Sequence, residues 1–67
     1  MKVLKVRDRV LIVKSPYYCV AVGSVGRVRR VRAEVHFIRG HHYSCHSYRV
    51  RVRAEICWFN DTELRLT

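Results

Sequence analysis

The chain is short of acid. Five Asp and Glu stand against fourteen Lys and Arg in 67 residues, a net charge of +9. Asp8 and Asp61 are isolated along the chain, and strand-end or turn roles account for them. Cysteine is scarce and odd in number. Cys19, Cys45 and Cys57 cannot make a disulfide framework. They read as reduced thiols of a cytosolic protein, with a lone Cys19–Cys45 bridge as the minor alternative. Long apolar runs are missing too. Charge interrupts Met1 to Asp8 at every second or third position, whereas a signal peptide needs an apolar stretch of about 7–15 residues. Nothing approaches the roughly 18 residues that span a bilayer. The expectation is a soluble, cytoplasmic protein with no membrane partner. Nucleophile elbow, P-loop, dinucleotide fingerprint and zinc-protease motif are all absent, so no catalytic residue and no cofactor is expected.

Length adds a further limit. A chain of this size makes one domain, residues 1–67, and buries only about 60% of its unfolded surface. A core of this size rarely supplies more than roughly 3–5 kcal/mol. Staples, metals or a second copy are the usual remedies, so a homo-oligomer is one expectation.

What is present is alternation. Apolar and polar residues trade places with period two, the mark of half-buried strands, and valine dominates the apolar positions. Strands are expected at Arg9–Lys14, Ser24–Val31, Glu34–Ile38, Ser47–Arg53 with a continuation over Ile56–Phe59 after a bend at Ala54-Glu55, and Glu63–Leu66. Ser15 to Tyr18 reads as a loop around Pro16. Residues 39–46 read as a polar loop around Gly40, and Asn60-Asp61-Thr62 as a turn. Such short strands with little room for helices predict an all-β domain, a small barrel or sandwich. Alternation places Phe37, Tyr48 and Phe59 in the core. Val31-Arg32-Ala33-Glu34-Val35 is echoed by Val52-Arg53-Ala54-Glu55-Ile56, which reads as two similar strands rather than a repeat.

The stretch Asp8-Arg9-Val10-Leu11-Ile12-Val13, followed by Gly23-Ser24-Val25-Gly26-Arg27-Val28, resembles the opening of SH3-like barrels of the KOW and translation-protein type. There an Asp-x-Val strand precedes a Gly-x-x-Gly-x-Val strand. Trp58-Phe59 and Glu63-Leu64 resemble the end of similar barrels, such as the small photosystem I subunit that helps dock ferredoxin and the variable chain of ferredoxin–thioredoxin reductase. Arg7 departs from the pattern, standing where those families have glycine. Plasmid-type dihydrofolate reductases are also SH3-like, but their Val-Gln-Ile-Tyr segment has no match at Ile56-Cys57-Trp58-Phe59. The resemblance implies a single five-stranded SH3-like barrel, a fold that hosts many functions.

Charge carries the functional expectation. Residues 1–14 hold net +4, residues 15–53 net +7 and residues 54–67 net −2; eleven of the fourteen cations are arginine. Arg27 and Arg29 are expected on one strand face, and Arg49, Arg51 and Arg53 on another, with Glu34 and His36 diluting the repulsion between the stripes. Guanidinium forks bind phosphate or carboxylate bidentately. Tyr17, Tyr18, Tyr43 and Trp58 fall in loops or at strand ends, where rings beside arginine can stack bases. The expected partner is nucleic acid, bound with weak sequence preference. The alternative is an acidic protein that docks on the basic face. His41, His42, Cys45 and His46 form a cluster of metal-binding types. A polar loop is the simpler account, and His42, Cys45 and His46 would be the ligands if metal bound.

Overall fold

The computed structural model describes residues 3–67. Its described residues form one antiparallel sheet of five strands: β1 (Arg9–Ile12), β2 (Val25–Ile38), β3 (His41–Val52), β4 (Glu55–Asn60) and β5 (Leu64–Leu66), in spatial order β4-β3-β2-β1-β5. A single 3₁₀ turn, Asp61–Glu63, leads into β5. Asn60 caps it: its Oδ1 accepts from Thr62 N at 3.0 Å, and Glu63 Oε1 accepts from Asn60 N at 2.9 Å. The pair is a capping box, the chemistry that makes Asn60 to Glu63 a turn. β4 and β5 are the edges of the sheet. Among the described residues no helix is long and apolar enough to cross a membrane.

Three expected boundaries shift. The strands expected at Ser24–Val31 and Glu34–Ile38 are one 14-residue strand, β2. Residues 39–46 are not a loop. Arg39 and Gly40, with φ of 52° and 78°, make a two-residue turn, and β3 begins at His41. Positive φ at both positions is the type I′ pattern, which matches the twist of the flanking strands. The bend expected at Ala54-Glu55 is a full turn through Arg53 and Ala54, so the strand expected to run on to Phe59 is two strands. The echo Val31–Val35 and Val52–Ile56 therefore falls inside β2 in one copy and across a turn in the other.

A bulge sets the faces of β2. Val28 pairs with Val50 and Arg30 with Arg49, which leaves Arg29 as an extra residue. Val28 and Val31 thereby both face the interior while Arg27, Arg30 and Arg32 share the opposite face. The core is assembled from Val10, Ile12, Val20, Val28, Tyr48, Val50, Val52, Phe59 and Leu64. Tyr17 closes one end, its ring edge-on to Phe59 at 5.3 Å and its hydroxyl donating to the Trp58 carbonyl at 2.7 Å. Tyr48 and Phe59 are core as expected. Phe37 is not; it is 69% exposed.

The reason is reach. β1 pairs with β2 only as far as Arg27, and β4 pairs with β3 only from Ser47 onward. Beyond those points β2 and β3 continue as a two-stranded ribbon, paired from Ala33↔His46 to Ile38↔His41, with no third strand paired beside it among the described residues; only its base is held from the side, where His46 N donates to Asp61 Oδ2 at 3.2 Å. The accessible surface, 5344 Å², exceeds the roughly 4,450 Å² of a compact globule of this mass.

Candidate functional site

The outer face of the sheet is built by cross-strand register. Arg9 stands opposite Arg27, Arg27 opposite Arg51, and Arg51 opposite Ile56, a transverse row over four strands. With strands about 4.8 Å apart, its three arginine Cα atoms span roughly 10 Å. The next row is Arg30, Arg49 and Trp58. Gly26 makes the first row close. A Cβ there would lie 2.6 Å from the Arg51 carbonyl oxygen and 2.8 Å from Val50 Cγ1.

The row opens into a groove of about 740 Å³ lined by six arginines, Arg7, Arg9, Arg27, Arg29, Arg51 and Arg53, with Val6 and Val25 and no acidic residue. Two of the guanidiniums are held by backbone. Arg27 Nη1 donates to the Arg7 carbonyl at 3.2 Å, and Arg51 Nε to the Arg53 carbonyl at 3.0 Å. Among the described residues the Arg32–Glu34 ion pair, with His36 Nε2 also against Glu34, lies away from the groove. Like charges opposed across a ladder destabilise a sheet, and nothing in the groove neutralises them.

Backbone conformation adds a second signal. Arg7 has φ 80° and Arg53 φ 56°. Left-handed backbone costs a non-glycine residue of order 1–2 kcal/mol. Arg7 sits in a tight turn closed by Asp8 N donating to Lys5 O at 3.1 Å, and Asp8 Oδ2 accepts from Lys5 N at 2.8 Å. The tight turn before β1 is therefore present with arginine at its left-handed position.

Of the residues singled out in the sequence, Arg27, Arg29, Arg51 and Arg53 meet in this groove. Arg29 joins as the bulge residue and not by simple alternation with Arg27. Arg49 lies on the same face but one row away, opposite Arg30. Arg7 and Arg9 were missed. Only the fold brings them beside Arg51 and Arg53, more than forty residues along the chain. Tyr17, Tyr18 and Trp58 do not line the groove. Tyr17 packs on the core side, Tyr18 stands in solvent at 109% exposure, and Trp58 flanks Arg49. Glu34 and His36 lie on the ribbon and do not separate the arginine rows.

The expected metal set is divided by the pleat. His42 and His46 share one ribbon face with Phe37, and Cys45 points to the other with Glu34. The His42 ring lies 4.0 Å from that of Phe37, and the His46 ring stacks on Tyr48 at 6.2 Å. All three cysteines are free thiols. Burial pushes the Cys57 thiol up, with Cys19 adding to the shift, and the expected minor alternative, a Cys19–Cys45 bridge, is not formed. No family model, curated protein or solved structure matches this chain.

Proposed function

We propose that the protein is a polyanion-binding module whose ligand is nucleic acid, held through phosphate by the arginine groove. The observation that carries this reading is six arginines converging on one groove without a carboxylate among them. Two of them occupy backbone positions that favour glycine, which makes sense where the guanidinium itself is needed. Phosphate neutralises the opposed charges and takes bidentate hydrogen bonds from the forks. Trp58, beside Arg49 on the same face, offers a ring on which a base can stack. Contacts of this kind go to backbone, so sequence preference is weak. No group poised for catalysis is part of the reading, and the module acts by binding alone.

The architecture we assign is an SH3-like small barrel. Support comes from the order β4-β3-β2-β1-β5, the long kinked β2 that pairs with β1 at one end and β3 along its length, and the single 3₁₀ turn before β5.

The test is fluorescence anisotropy with short labelled single- and double-stranded DNA and RNA across a salt series. Binding that weakens linearly in log salt, and is lost in an Arg27→Glu/Arg51→Glu double variant that still folds, supports the assignment. Binding unchanged in that variant overturns it. An acidic protein that competes where nucleic acid does not bind would transfer the groove to the docking reading.

A further inference from the structure

Three side chains on the ribbon form a donor set outside the groove. Glu34 of β2 and Cys45 of β3 are directly paired across the ladder, and His36 follows two residues later on the same face. One donor atom from each lies within 4.8 Å of the other two. Within the set, Glu34 Oε2 is 3.2 Å from His36 Nε2. That separation matches the edge of a tetrahedron around zinc, about 3.3 Å for metal–ligand bonds of about 2.0 Å. The other carboxylate oxygen, Oε1, faces Arg32 Nε at 3.4 Å. Arg32 thus fixes the carboxylate while leaving Oε2 for a metal, as outer partners of metal ligands do.

We propose that Glu34, His36 and Cys45 form a zinc site that clips β2 to β3 on the projecting ribbon. Thiolate, imidazole and carboxylate are the three protein ligand types zinc takes, and their mixture disfavours calcium and magnesium, which select oxygen. The Cys45 thiol gives its proton to solvent on binding. Carboxylate and thiolate then balance the charge of the ion. The fourth position faces solvent, because His36 is exposed and no strand among the described residues is paired beside the ribbon there. The site lies where the ribbon has lost the support of β1 and β4, and an isolated two-stranded ribbon is marginal in water. Two ligands from β2 and one from β3 supply a cross-link at that place. The residues differ from the set His42, Cys45 and His46 because side chains alternate across a strand.

The experiment titrates Co²⁺ into the reduced full chain and reads thiolate-to-cobalt charge-transfer absorption, then displaces the cobalt with Zn²⁺. One equivalent with that absorption is expected in the wild type and in a Cys19→Ser/Cys57→Ser double variant. Cys45→Ser should lose the absorption, and His36→Ala should weaken binding by about tenfold or more. His42→Ala and His46→Ala should bind as the wild type does. Absence of the absorption in the wild type, or its survival in Cys45→Ser, overturns the proposal.

Discussion

Arg27 and Arg51 face each other across the β2–β3 ladder, each guanidinium anchored to a backbone carbonyl, of Arg7 and Arg53 respectively. Two positive charges are thus held opposite one another, and their remaining donors have no partner among the described residues. Arg51→Glu converts the pair to opposite charge. The protein should gain about 0.2–1 kcal/mol in chemical denaturation while its affinity for nucleic acid falls. Arg27→Ala, which removes one phosphate contact, should lower the slope of log affinity against log salt by about 1. A stability loss in Arg51→Glu with intact binding would show that the pair serves the sheet and not a ligand.

Gly26 sets the approach of β2 to β3. Its hypothetical Cβ overlaps the Arg51 carbonyl and two valine methyls of the core. Gly26→Ala should therefore cost about 1–3 kcal/mol, read from the urea midpoint. Gly40→Ala offers a contrast. No atom lies within 4 Å of a Cβ there, and only the φ of 78° is strained, so its cost should be the smaller of the two.

Arg7 can be tested with two substitutions that both remove the guanidinium. Only Arg7→Gly relieves the left-handed backbone. It should be more stable than Arg7→Ala by about 1 kcal/mol, and the two should bind nucleic acid equally weakly. Equal stability of the two variants in thermal melts would mean that the turn carries no strain.

Burial pushes the Tyr48 phenol above its ordinary value of 10.0, with the nearby Asp61 carboxylate adding to the rise. Tyr17 is raised in the same direction, first by burial and then by Cys57 and Glu63. A phenol that holds its proton more tightly in the folded state contributes stability in full below pH 10. The contribution is lost as pH climbs through the raised value. Stability should thus fall on the alkaline side, and the fall should be shallower in Tyr48→Phe. That variant should also cost about 1 kcal/mol at neutral pH, because Tyr48 Oη accepts from Leu4 N at 3.3 Å. Urea melts from neutral pH upward would separate the two effects.

Alternation made the strands and most of the core legible. Val10 and Ile12, Tyr48, Val50 and Val52, and Phe59 fall on the buried side as their spacing dictates. Phe37 obeys the same alternation and is exposed, because periodicity identifies a face and says nothing of what covers it. The turn at Arg39-Gly40 lacks the Asn-Gly or Asp-Gly signature, so the histidine-rich stretch after it resembled a loop. The groove was half legible. Arginines two apart on a strand can be read from spacing, but Arg7 and Arg9 reach it through pairings of β1 that no local pattern encodes.

The doubled arginine at the bulge has a meaning for chain length. From Gly26 to Val28 and from Arg30 to Ala33 the sequence keeps strict two-residue phase, and Arg29 is the single beat between the two halves. Removing Arg29 would straighten the strand and leave every later side chain on its present face. Removing one residue between Ser47 and Val52 would invert the phase against β2 and β4 and carry arginine into the valine layer. Length is therefore negotiable at one position of this hairpin and fixed along the paired part of β3.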